Sequence, residues 1–286
     1  MTYFEFLFLF LVLPLVLLLS IQRWEQHRKG DARDAMSRKP PWLAIAVQTS
    51  VALVYTTPWD NYLVATGVWF YNPALVTGIT LGYVPLEEYT FFILEPLLVG
   101  MWWWFLARRL NAPAPFSPST KLRIWPAALL SVLWLISVAV FLGGPAPLTY
   151  LSITLLWAIP PIAIQCAFGA DILWHHRKHI MATVLPLALF LSAADSIAIT
   201  AGTWTISPAK STGLFIGALP VEEALFFFIT VMLATFGLTL MRAQPSQARV
   251  RALVRDDAQR RKPMPPPTLI ESPRRASRSR DRPATG

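Results

Sequence analysis

Runs of predominantly apolar residues, each about 20 long, follow one another along this chain and leave it few folds to choose from. They lie at 3–21, 42–58, 85–107, 124–142, 148–168, 180–199 and 220–241. In a bilayer every backbone N–H and C=O must find its partner within the segment, so such runs predict helices. The chain is expected to be an all-α integral membrane protein with seven transmembrane helices. Its composition, 55% hydrophobic and only 14% charged, excludes an ordinary soluble domain. Apolar residues already precede Pro85 and Pro220. The third and seventh helices are therefore expected either to start near Gly78 and Gly213 and kink at the proline, or to follow a short re-entrant piece.

Lysine and arginine set the orientation. Arg23, Arg28, Lys29, Arg33, Arg38 and Lys39 fill the first loop, Arg108, Arg109, Lys121 and Arg123 the third, and Arg177 and Lys178 the fifth. Loops two and four carry none and loop six only Lys210. Odd loops and the C-terminal tail are thus expected in the cytoplasm, with the N-terminus outside. The first run has Glu5 in place of a basic leader, its cations follow it, and it shows no small-residue cleavage site, so it reads as a retained helix. The net charge of +9 resides mostly in these loops and the tail, where it faces anionic lipid and implies no nucleic acid. Cys166 is the single cysteine, which excludes a disulfide within the chain and a thiolate metal cluster.

The third and seventh runs begin alike. Gly-Tyr-Val-Pro-Leu-Glu-Glu-Tyr-Thr-Phe-Phe at 82–92 is matched by Gly-Ala-Leu-Pro-Val-Glu-Glu-Ala-Leu-Phe-Phe at 217–227. At the same offset of 135 residues Asp60 maps to Asp195, Gly67 to Gly202, Trp69 to Trp204, Pro73 to Pro208 and Gly78 to Gly213. Identities spaced in register over such a length indicate an internal duplication. One repeat is expected at 1–110 with helices one to three and the other at 148–241 with helices five to seven, joined by a connector, 111–147, that holds helix four. One extra helix between two three-helix units makes both enter the membrane in the same direction, related by a pseudo-twofold axis along the membrane normal. Residues 242–286 are rich in Arg, Ser and Pro and are expected to form a disordered basic cytoplasmic tail.

Adjacent carboxylates in an apolar segment need a reason. Glu87, Glu88, Glu222 and Glu223 would sit in a first helical turn, where the helix dipole favours acids. That accounts for any one of them, but not for both pairs held at one position of two diverged repeats. Neighbouring helical residues point about 100° apart, so one Glu of each pair can face the interior while the other meets Asp60 or Asp195, a helix end or lipid headgroups. Desolvation and like-charge repulsion favour the protonated form of a buried carboxyl, which makes it a candidate general acid. The topology gathers all six carboxylates toward the outer half of the bundle. Trp59, Trp69, Phe91, Phe92, Trp204, Phe226 and Phe227 are core and interfacial-belt residues whose ring faces can also stabilise a carbocation.

Other features receive plainer readings. Glu95, which the second repeat replaces with Thr230, is read as a local peculiarity, and Glu5 as interfacial. Asp171, His175 and His179 have the spacing of metal ligands on a helix face but read as part of a basic cytoplasmic loop, so no metal is expected. Gly78-xxx-Gly82 and Gly213-xxx-Gly217 read as close helix packing. A dinucleotide or Walker fingerprint is lacking.

Tyr-Thr-Thr-Pro-Trp-Asp-Asn-Tyr at 55–62, with Pro-Leu-Glu-Glu at 85–88 and Pro-Val-Glu-Glu-Ala-Leu-Phe-Phe-Phe-Ile-Thr at 220–230, resembles the lycopene cyclase domain of the membrane-integral type. That family occurs as two small subunits, as a tandem fusion, and as the N-terminal part of fungal enzymes joined to a phytoene synthase. The resemblance covers 3–241 and is to the tandem fusion. It implies acid-catalysed, non-redox cyclisation of the linear ends of lycopene or a related carotenoid to β-ionone rings, giving γ-carotene and β-carotene, with no cofactor. It further implies a bacterial cell membrane, contact with membrane lipid and other carotenoid-biosynthesis enzymes as neighbours. Proton donation would fall to the two Glu pairs, and support or deprotonation to Asp60 and Asp195. A C50 carotenoid substrate, a different ring isomer and a proton-coupled transporter built from parallel repeats are the alternatives. A retinal protein would need a lysine inside helix seven, which has none.

Overall fold

A computed structural model describes residues 1–29, 40–110 and 115–260. Its elements follow from where the apolar runs begin and what interrupts them. Helix α1 (Tyr3–Leu7) is capped by Thr2, whose hydroxyl accepts the Glu5 N–H while the Glu5 carboxylate accepts the Thr2 N–H, so Glu5 serves as half of a capping box. A π turn over Phe8–Val12 carries the helix on into α2 (Leu13–Lys29). Then come α3 (Trp42–Ala65), α4 (Leu86–Ala107), α5 (Thr120–Gly143), α6 (Thr149–His175), α7 (Arg177–Thr200), α8 (Val221–Arg242) and α9 (Gln244–Arg260).

Among the described residues, six segments are long and apolar enough to cross a membrane: Tyr3–Glu25, Leu86–Ala107, Thr120–Gly143, Ala146–His175, Arg177–Thr200 and Val221–Arg242. The expected second span, α3, has the length at 24 residues but is diluted by Gln48, Thr49, Ser50, Thr56, Thr57, Asp60 and Asn61. It packs on α4 and α8 within the bundle. The connector α5 lies along α6 and turns Leu129, Leu135 and Leu142 outward. The core runs through the remaining helices, with Phe6, Leu63, Leu98, Trp103, Tyr150 and Leu238 shut from solvent.

The starts of α4 and α8 overturn a beginning near Gly78 and Gly213 with a kink at the proline, and leave the alternative of a short piece before each helix. Each helix begins directly after its proline, and a two-residue hairpin precedes it: β2 (Thr80–Leu81) with β3 (Val84–Pro85), and β5 (Phe215–Ile216) with β6 (Leu219–Pro220). Gly78, Gly82, Gly213 and Gly217 all take positive φ, between 66° and 76°, a conformation that no helix contains. These glycines make turns, and the helix-packing reading of their spacing is overturned. A third pairing joins the halves: β1 (Trp69–Tyr71) runs antiparallel to β4 (Trp204–Ile206), with Phe70 opposite Thr205. The flanking bonds are reciprocal, Asn72 N–H to Thr203 O at 3.0 Å and Ser207 N–H to Val68 O at 2.9 Å.

The expected disordered tail also needs correction over its first part, where 244–260 is the helix α9. Its Ala, Gln and Arg residues are good helix formers, and Arg249 grips Asp171 with two bonds of 3.0 and 2.7 Å. Residues Met1–Arg249 form one body and a second begins at Val250. The rest of the expected tail, 261–286, and loop cations such as Arg33, Arg38 and Lys39 lie outside the described residues.

Candidate active site

Each carboxylate pair is placed by the hairpin before it. Glu87 and Glu222 turn back toward that loop, where Oε1 of Glu87 accepts the Thr77 N–H and Oε1 of Glu222 the Thr212 N–H, both at 2.6 Å. The other oxygen of each is buried and has no hydrogen-bond partner among the described residues. Glu88 and Glu223, rotated by one residue, face the interior. Glu88 Oε2 accepts the hydroxyls of Tyr71, at 3.0 Å, and Tyr3. Glu223 Oε1 accepts the hydroxyl of Tyr150 at 2.7 Å and the indole N–H of Trp69 at 3.1 Å.

The aspartates complete the group asymmetrically. Asp195, on α7, accepts the Trp204 indole N–H at 2.8 Å. Its counterpart Asp60, on α3, is wholly buried with neither oxygen hydrogen-bonded among the described residues, within electrostatic reach of Glu88 and Glu223. The equivalent tryptophan, Trp69, has crossed to Glu223, carried there by the strand pair that links the halves.

Glu88, Glu223 and Asp195 line one cavity together with Tyr3, Tyr71 and Trp204, and Phe91, Phe226 and Phe227 form its apolar side. Its volume, about 30 Å³, is small but large enough to hold water. Behind it Trp59 stacks on Phe226, with centroids 5.6 Å apart and planes 9° apart, and on Trp157 at 4.6 Å. Phe91 meets Phe227 edge-on at 6.1 Å, and Phe92 packs against Phe91. Acids, phenols and ring faces thus surround one small space, an arrangement suited to giving a proton to an apolar molecule and shielding the cation that results.

The structure brings together Glu88, Glu223, Asp60, Asp195, Trp69, Trp204, Phe91, Phe226 and Phe227, and it sets Trp59 and Phe92 one layer back. Glu87 and Glu222 stand apart as loop anchors. Sequence reasoning missed the phenols of Tyr3, Tyr71 and Tyr150. Tyr3 and Tyr150 are equivalent, because their N–H groups bond Leu75 O and Lys210 O, which are themselves 135 residues apart. Their own offset is 147, so a comparison at constant spacing passes over them. At the offset of 135 Tyr71 answers to Ile206 and leaves no repeat signal. Burial, with Asp60 and Glu88 beside it, holds the Tyr71 phenol well above its ordinary pKa, so it stays a hydrogen-bond donor.

The candidate metal triad disperses. Asp171 pairs with Arg249, His179 meets the Trp103 carbonyl at 2.9 Å and His175 packs against Phe116. Glu95 is buried beside Thr230, its own counterpart, on the wall of a second cavity.

Residues 32–106 and 147–241 match the family model described as lycopene cyclase. A lycopene beta-cyclase of Halobacterium salinarum is 41% identical over 201 residues, covering 68% of this chain and 81% of that protein. Bifunctional lycopene cyclase/phytoene synthases of Phaeosphaeria nodorum and Aspergillus oryzae are 33% and 31% identical, covering 66% and 69% of this chain and 34% of each of theirs. No solved structure matches.

Proposed function

The chain belongs to the lycopene cyclase family, and from that premise we propose that it closes the linear ends of lycopene into β-ionone rings by adding a proton and removing another. The opposition of Glu88 and Glu223 across one aromatic-walled cavity carries this reading. A carboxylic acid gives its proton to the terminal double bond, which leaves a tertiary cation. The neighbouring double bond attacks that cation, the ring C–C bond forms, and the charge moves into the ring. A carboxylate then takes a proton from the adjacent ring carbon, whose C–H electrons become the ring double bond. One proton enters and one leaves, so the reaction is an isomerisation that balances without oxidant, reductant or cofactor.

Glu88 and Glu223 are the proton donors in this scheme, and Asp60 and Asp195 hold or return protons within the cluster. Tyr3, Tyr71 and Tyr150 orient the two glutamates. Phe91, Phe226 and Phe227 shield the cation, with Trp59 and Phe92 supporting them. The two halves are proposed to be parallel repeats about a twofold axis between Phe70 and Thr205, a relation favoured by the register of β1 on β4. The chain would then cross a bacterial cell membrane seven times, counting α3, with its N-terminus outside, as the arginine and lysine pattern favours.

Expression in a lycopene-accumulating cell, followed by chromatography of the pigments, tests the reading. Cyclic carotenoid is expected, and its identity separates β-rings from other isomers and C50 products. Unchanged lycopene, with the protein found in the membrane, would overturn it, and conversion by purified protein in detergent excludes a transporter.

A further inference from the structure

The second cavity adjoins the first. Phe91 and Phe226, equivalent residues of the two repeats, line both, so the two spaces share one wall of rings. From there the second cavity, about 110 Å³, runs between α3 and α6 past Val51, Ala52, Tyr55 and Pro161. A third space, of about 250 Å³, is its counterpart: Pro186, Leu187 and Phe190 answer to Val51, Ala52 and Tyr55 at the offset of 135, and Pro14 to Pro161 at 147. That third space is lined by apolar groups but shares no residue with the acid cavity.

Sequence explains why α3 and α6 meet loosely. Pro160 and Pro161 lack N–H groups, so the carbonyls of Leu156 and Trp157, four residues earlier, have no helical donor. Trp134 takes the first at 3.1 Å. Tyr55 of α3 takes the second with its hydroxyl at 2.8 Å, and its ring stacks on Trp157. Tyr55 is 40% exposed and Val51 54%, so this contact closes the slot at the outer surface of the bundle. Gln48 and Gln165 turn their amides to the α8 carbonyls of Ala234 and Leu233, which leaves much of the slot aromatic and aliphatic.

We propose that the slot between α3 and α6 is the binding site for the conjugated chain of a linear polyene. It would admit the molecule sideways from lipid and hold the chain while one end lies at Glu88 and Glu223, and the Tyr55–Trp157 contact is its latch. The present volume is far less than a whole carotenoid fills, so the latch opens on binding. The proposal rests on the cyclase reading for the identity of its ligand.

Ala52→Trp fills the slot and Phe190→Trp alters its counterpart. With purified protein and lycopene, Ala52→Trp is expected to lower cyclisation about tenfold and to remove the induced visible circular dichroism of bound polyene, while Phe190→Trp changes neither. Tyr55→Phe keeps the ring, releases the latch and is expected to raise the rate of polyene binding. Should wild-type protein bind polyene in an Ala52-dependent way and cyclise nothing, the slot stands and the cyclase reading falls. Normal binding by Ala52→Trp, with impaired binding by Phe190→Trp, overturns the slot. If Ala52→Trp does not accumulate, an unchanged binding rate in Tyr55→Phe overturns it instead.

Discussion

Within each acidic pair the two residues have different partners, a loop N–H for Glu87 and Glu222 and side chains of the cavity for Glu88 and Glu223, and the proposed mechanism gives them different work. Glu88→Gln and Glu223→Gln remove the transferable proton, and each is expected to lower cyclisation at least about a hundredfold, as measured by pigment chromatography. Glu87→Gln and Glu222→Gln keep an oxygen for the Thr77 or Thr212 N–H and should retain most activity; loss equal to that of Glu88→Gln would refute the division of roles. Tyr71 supplies a pH test. Its phenol is shifted upward, chiefly by burial, so whatever stability it lends is fully present below its ordinary pKa of 10.0 and is lost only as pH rises above that. The deficit of Tyr71→Phe relative to wild type should therefore be flat from about pH 6 to 9. A deficit that varied across that window would show the phenol titrating there. Glu88, Glu223, Asp60 and Asp195 stand out in the sequence because charge in an apolar run is conspicuous and the matching stretches double it, but the same signal marks Glu87 and Glu222, which bond the loops instead. The phenols do not stand out, because tyrosine in such a run is ordinary and the first helices of the two units are spaced differently from the rest.

At the scale of elements, the hairpins before α4 and α8 decide where the acids point. Gly82 and Gly217 hold equivalent turns with φ of 71° and 66°, but their surroundings differ. A methyl group on Gly82 would collide with the Asn61 amide, which accepts the Tyr83 N–H at 2.8 Å and donates to the Tyr89 hydroxyl at 3.0 Å, whereas nothing approaches Gly217. Gly217→Ala should cost about 1–2 kcal/mol from backbone conformation alone, and Gly82→Ala distinctly more, read as the loss of thermal midpoint in detergent. Equal losses would show that Asn61 yields freely. This is also where sequence reading failed for a physical reason. Four-residue glycine spacing suits both a packed helix and a pair of turns, and only the backbone sign of φ tells them apart. The second span, α3, has the expected length at 24 residues, and the polar groups that dilute it include Asp60, which lies buried beside the acids.

At the scale of the whole molecule, the two matching stretches contribute Glu88 and Glu223 to one cavity. At the offset of 135 Tyr71 answers to Ile206 and Glu95 to Thr230, and Trp69 bonds Glu223 while Trp204 stays beside Asp195. Such departures from symmetry are expected when two copies come to serve one centre, because a shared cavity needs each group once. A substrate with two equal ends would then present them one after the other, so that at substrate excess the monocyclic product should precede the bicyclic one. The arrangement also fixes how the two glutamates combine. If Glu88 and Glu223 act in one centre, each single Gln variant should lose nearly as much activity as the double variant, since groups that act as a unit are not additive. Two independent centres would instead leave each single variant about half the wild-type rate and make the double variant alone inactive. Comparing the three variants for initial rate and for the ratio of one-ring to two-ring product separates these cases, and half-rate singles would break the link between the shared cavity and a single catalytic centre.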